Sequence, residues 1–206
     1  MNDFYQVVLL FSIFSIAGYI AELINCIIWD RKLLPRGFLF GPYLPIYGWG
    51  CILITFLCLN IRDNIPLIFL ISMAACSVLE FLTSLILEKI FKVRWWDYSD
   101  YHCNLNGRVC LRNAIIFGVV GVITVKILPV LEYVINLIPR DWQIGLAIFM
   151  LVVLALDTLA SFYANCKVKN MEDFTKTLGD QTVEIKRNAK KVMKQLVKKP
   201  RSKKKK

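Results

Sequence analysis

The 206 residues are 57% hydrophobic and carry a formal net charge of +11. Soluble domains usually stay below half apolar, and here the excess falls in blocks of about 20 residues, the length that crosses a bilayer. The charge belongs to one segment: residues 167–206 hold 15 Lys/Arg and 4 Asp/Glu, whereas residues 1–166 balance at 11 of each. That distribution excludes a nucleic-acid groove in the apolar body, because such a groove needs its own basic stripe.

The first apolar block covers 4–29, with no basic residue ahead of it. A secretory signal has a positive n-region and a shorter apolar core, so a retained span is expected. A loop over 30–43 with Arg31, Lys32 and Arg36 leads to a second span, 44–61. A polar turn at 60–64 precedes Pro66, a residue that suits a helix start because its missing N–H would be unpaired there. The third span is expected over 66–87, with room to continue to Phe91. A polar stretch, 92–112, separates it from a fourth span over 114–131, prolonged toward Ile138 with a kink at Pro129. A turn at 139–141 introduces the fifth, 142–164. The expected fold is all-α: a polytopic transmembrane bundle of about five spans over 1–166 and a cytoplasmic tail over 167–206.

Orientation follows from Lys/Arg in the short loops. From the N-terminus the counts run none, three, one, five, one and fifteen. This alternation places the N-terminus outside and the first loop, third loop and C-terminus in the cytoplasm. In the tail, Met171, Leu178, Ile185 and Val192 recur every seven residues beside Phe174 and Leu196, which predicts an amphipathic helix over about 171–196. A polybasic end, 198–206, follows. The tail suits anionic lipid, at about 1 kcal/mol per basic residue near the surface, or an acidic protein partner.

Three carboxylates lie inside expected spans: Glu22, Glu80 and Asp157. A charge at the bilayer centre costs about 2.5–3.5 kcal/mol on insertion scales, so these groups face protein or a wet cavity. Each sits seven residues before the inner end of its expected span, about 10 Å deep. Each extends a polar stripe at helical spacing: Ser15, Gly18, Glu22 and Asn25; Ser77, Glu80, Ser84 and Glu88; Asp157, Ser161 and Asn165. The stripes make either one polar site open to the cytoplasm or hydrogen-bonded packing seams. Lys126 lies in the outer half of its span, where its stem reaches the outer interface.

Two loops stand out. Six Gly and Pro crowd into 37–50 with Tyr43, Tyr47 and Trp49, so this segment is either re-entrant, lining a cavity, or an ordinary structured loop. The third loop holds Arg94, Asp97, Asp100, Asn104, Asn106 and Arg108. With Glu88 these are secondary site candidates: the arginines either hold an anionic headgroup or pair with the nearby acids. Seven cysteines argue against a disulfide framework by their odd number. Cys103 and Cys110 beside His102 lack zinc spacing and a second ligand pair. No metal or cofactor is expected. No phosphate loop, HExxH or GxSxG motif occurs, and no catalytic set stands out.

The segments 41–50 (GPYLPIYGWG), 80–84 (EFLTS), 87–88, 96–99 (WDYS) and 104–108 (NLNGR) resemble the family called putative ABC-transporter type IV permeases, small membrane proteins mainly of Gram-positive bacteria. The resemblance covers roughly 5–165. It implies a multi-span membrane protein and a transport role, and it supplies no substrate-binding residues. The expected function is a permease subunit with a cytoplasm-facing polar cavity, no ATPase domain of its own, and a separate ATPase subunit or other membrane protein as partner. A membrane-embedded enzyme acting on a lipid headgroup is the alternative, and a non-catalytic membrane adaptor the third reading.

Overall fold

The computed structural model describes residues 3–30, 37–92 and 94–167. The expected tail helix and polybasic end lie outside the described residues, as do Arg31, Lys32 and Arg36. Residues 1–163 form one compact unit.

Among the described residues five helices carry it: α1 (Phe4–Asn25), which runs on as a π-helical turn over Cys26–Asp30; α2 (Pro45–Cys58); α3 (Ile65–Phe91); α4 (Leu111–Asn136); and α5 (Arg140–Lys167). Four are long and apolar enough to cross a membrane, α1 with its π turn, α3, α4 and α5. Their ends follow local chemistry. Asn64 accepts from the Leu67 N–H at the start of α3. Lys92, in the left-handed region at φ 61, closes it by donating its N–H to Glu88 O. At the far end of α4 the buried Gln143 amide donates to the carbonyls of Ile135 and Ile138 at 3.0 and 2.7 Å. Ile135 O also accepts the Ile138 N–H at 3.1 Å, and the amide adds a donor where the ending helix leaves its last carbonyls short of partners.

The second expected span differs from its expected bounds. Its helix has 14 residues, about 21 Å, against a hydrocarbon core of about 30 Å. Gly37–Leu44 stays non-helical, because glycines at 37 and 41 and prolines at 42 and 45 resist helix continuation. Leu44 N–H donates to Ser15 O at 2.9 Å, so α2 begins beside the middle of α1. Close approach fixes the pair. Gly18 faces the Tyr47 side chain and Gly48 faces Ser15 and Phe11, with no space for a Cβ at either glycine.

The same device joins α3 to α4. Gly118 lies against the Phe69 ring and Gly121 against Ser72. Small residues let backbones approach where lipid offers no hydrophobic drive. Two apolar clusters result. One joins Val8, Leu9 and Leu10 with Leu128, Ile135 and Ala147; the other joins Ile54, Cys58, Ile68, Cys76 and Val125. Large side chains on the outer faces, such as Phe56, Val130 and Leu159, are exposed, as lipid-facing residues are. Lys126 donates to Arg62 O at 3.0 Å and lies 4.0 Å from Asp63, at the turn between α2 and α3.

One element interrupts the all-α expectation. Asn104–Leu105 pairs antiparallel with Val109–Cys110 around Asn106 and Gly107, both at positive φ. Asn-Gly is the pair that tight hairpin turns select.

Candidate functional site

A cavity of about 400 Å3 opens between α1, α2, α3 and α4. Its wall is largely apolar: Leu44, Ile46, Leu79 and Leu87, with Phe38 and Trp95 from the loops. Glu22 and Glu80 both line it. Tyr47 Oη donates to Glu22 Oε1 at 2.7 Å, and Tyr98 Oη donates to Glu80 Oε1 at 3.1 Å. Burial, then the charge of Glu80, pushes the Tyr98 phenol well above its ordinary value, so it keeps its proton and remains the donor. Glu80 is 5% exposed. The Asn113 side chain lies near it, yet Oε2 makes no hydrogen bond of normal geometry.

Asp157 is placed differently. It is not among the residues lining this cavity and instead gathers the loop before α2. Phe40 N–H donates to its Oδ1 at 3.2 Å, Gly41 N–H to its Oδ2 at 2.8 Å and Tyr43 Oη to Oδ2 at 2.6 Å. Ser161 Oγ also donates to it, at 3.0 Å. Two consecutive backbone amides on one carboxylate are charge-assisted bonds, and they hold a non-helical segment whose donors have no helical partner. Thr158, one residue on, reaches the cavity wall.

The third loop forms its own network. Glu88 pairs with Arg94 at 3.2 Å and with Arg108. Arg108 Nη1 also donates to Ser84 Oγ at 3.1 Å, which buries it against α3. Arg94 Nη1 donates to Asn106 O at 3.2 Å and lies 3.9 Å from Asp97. Asp97 Oδ1 accepts from the Ser99 N–H and hydroxyl, which holds its carboxyl below the usual aspartate value. Asn104 bridges Tyr101 O and Gly107 N–H. Asp100 stays exposed. The arginines are thus committed to acids and carbonyls, and the loop's contribution to the cavity is to deliver Trp95, Trp96 and Tyr98.

Sequence reasoning missed the two tyrosine donors. It places Tyr47 only within the glycine- and proline-rich segment 37–50 and Tyr98 only within WDYS. The available signal was their position beside intramembrane acids, since a buried phenol needs a partner. Among the described residues no group of acids, Cys and His is arranged to hold a metal ion.

Apolar helices of this length, outward-facing apolar side chains and a polar cluster buried among them define a multi-pass membrane protein. The chain matches the family described as Putative ABC-transporter type IV over residues 9–162, and it belongs to that family. No curated protein and no solved structure matches it.

Proposed function

We propose that the chain is the solute-handling membrane subunit of an ABC-type transporter, with a solute site in the cavity that Glu22 and Glu80 line. One observation carries this reading: two carboxylates and their tyrosine donors sit on the wall of an otherwise apolar cavity at membrane depth. Buried charge of that kind is costly and marks solute or ion pathways. In this reading ATP hydrolysis falls to a separate subunit.

The cavity faces the cytoplasm in this reading. Its loop-borne lining comes from 37–44 and 95–98, within the two loops richest in Lys/Arg. The cluster of Val8, Leu10, Ile135 and Ala147 packs the other end of the bundle. Five crossings fit better than four. Phe38 stacks on Phe91 at 5.2 Å and on Trp95 at 5.8 Å, at the C-terminal end of α3. Asn64 caps its N-terminal end. The chain between them spans a 27-residue helix, about 40 Å. Gly37–Leu44, a non-helical stretch that bends over 37–42, followed by the 14 residues of α2, runs between those two ends. In this reading the second span is part irregular and part helical, and its irregular backbone is covered by α1 and Asp157 as membrane depth requires.

Purification from the native host in mild detergent tests the reading. The expected outcome is a co-purifying nucleotide-hydrolysing subunit whose ATP turnover changes with Glu80→Gln. Purified chain that alone cleaves or transfers a phospholipid headgroup would instead establish the enzyme reading. Reporter fusions after Arg36 and Asn104 should report cytoplasm, and one after Asn64 the exterior. An exterior signal at Asn104 would overturn the orientation.

A further inference from the structure

The chemistry of the cavity also selects a class of solute, and this step rests on the reading of the cavity as a solute site. Of the described residues that line it, two are acidic and none is Lys, Arg or His. The two phenols that could donate to an anion already donate to the carboxylates. The nearby guanidinium of Arg108 is turned to Glu88 and Ser84. Among the described lining side chains an anionic headgroup would therefore meet two carboxylates and no cation. Glu80 points the other way: it is almost fully buried, yet Oε2 has no hydrogen-bond partner of normal geometry. A buried carboxylate oxygen without a partner is expensive, and a bound cation relieves that cost. The rest of the wall supplies apolar area and the faces of Phe38, Trp95 and Trp96, surfaces that attract organic cations through ring quadrupoles.

We propose that the cavity binds an organic cation with an apolar body, its charged centre against Glu80 and Glu22 and its body against the aromatic and aliphatic wall. A small hydrated metal ion fits less well, since the wall offers few oxygen ligands. The cavity has the size of drug-sized ligand sites.

Three rigid probes of similar shape test this on full-length protein in zwitterionic nanodiscs, with empty discs subtracted: tetraphenylphosphonium, neutral triphenylphosphine oxide and anionic tetraphenylborate. The expected result is saturable binding of the phosphonium, well above the neutral probe, with no saturable borate binding. Glu80→Gln and Glu22→Gln should each weaken the phosphonium by about tenfold or more and leave the neutral probe unchanged. Tyr98→Phe, which keeps both charges, should cost less. The probe series on the unaltered protein stands even if a variant fails to fold. Equal binding of the neutral probe, or tighter binding of the borate, would overturn the cation assignment while leaving the cavity as a solute site. Absence of saturable binding for all three, together with an unreactive Thr83→Cys, would overturn both.

Discussion

At the scale of single residues, the loop that carries Tyr98 to Glu80 depends on Asp97. Its carboxylate accepts both Ser99 donors, and Tyr98 N–H in turn donates to Gly107 O at 2.7 Å. Because the folded-state value of Asp97 is depressed, its contribution is present above the ordinary value of 3.8 and is lost as pH falls through the lower folded value. Hydrogen exchange, normalised for its intrinsic pH dependence, should show Ser99 and Gly107 amide protection falling through that acid window. Asp97→Asn should flatten the dependence, since it has no proton to gain. Protection that falls identically in both proteins would assign the acid sensitivity to another group. Gly107 explains the tightness of this turn: it sits at φ 68 with Asp97 and Ser99 where a Cβ would lie.

At the scale of elements, apolar run length was enough to locate α1, α3, α4 and α5, because a span must hide its backbone and the bilayer sets its length. Their inner ends were less legible. Charged Glu88 and Lys89 look like the end of a span, and the structure takes the longer of the two expected bounds, to Phe91, where Phe91 stacks with Trp95 and Phe162. The bounds of α2 were not legible from run length, since its apolar stretch hides a change from irregular chain to helix at Leu44. Asp157 holds that irregular part. Asp157→Ala should raise exchange at the Phe40 and Gly41 amides by about tenfold or more, with Asp157→Asn between the two because its oxygen still accepts. Unchanged exchange would show the segment is held by α1 alone. The α3–α4 seam makes a second prediction. Gly121→Ala drives a methyl into Ser72 and should lower stability by about 1–3 kcal/mol, read as a fall in thermal midpoint in detergent. Ser72→Gly in the same chain should restore most of it, because the clash includes the Ser72 Cβ. Failure of that rescue would mean the helices are not in this register.

For the whole molecule, sequence spacing could give the depth of Glu22, Glu80 and Asp157 but not their directions around each helix. Direction is set by packing: Gly18 and Gly48 turn α1 and α2 face to face, and Gly118 and Gly121 do the same for α3 and α4. Those contacts bring Glu22 and Glu80 to one cavity and leave Asp157 beside the loop. These features join in one claim, a solute cavity reached from the cytoplasm. Cysteine replacement in a cysteine-free background measures it most directly, with Glu22→Cys, Glu80→Cys and Thr83→Cys exposed to a membrane-impermeant thiol reagent in oriented vesicles. The account predicts that the reagent modifies these positions from the cytoplasmic face and not from the exterior, and that tetraphenylphosphonium protects Thr83→Cys. No reaction from either face at all three positions would contradict it and leave the acids as members of a closed packing seam.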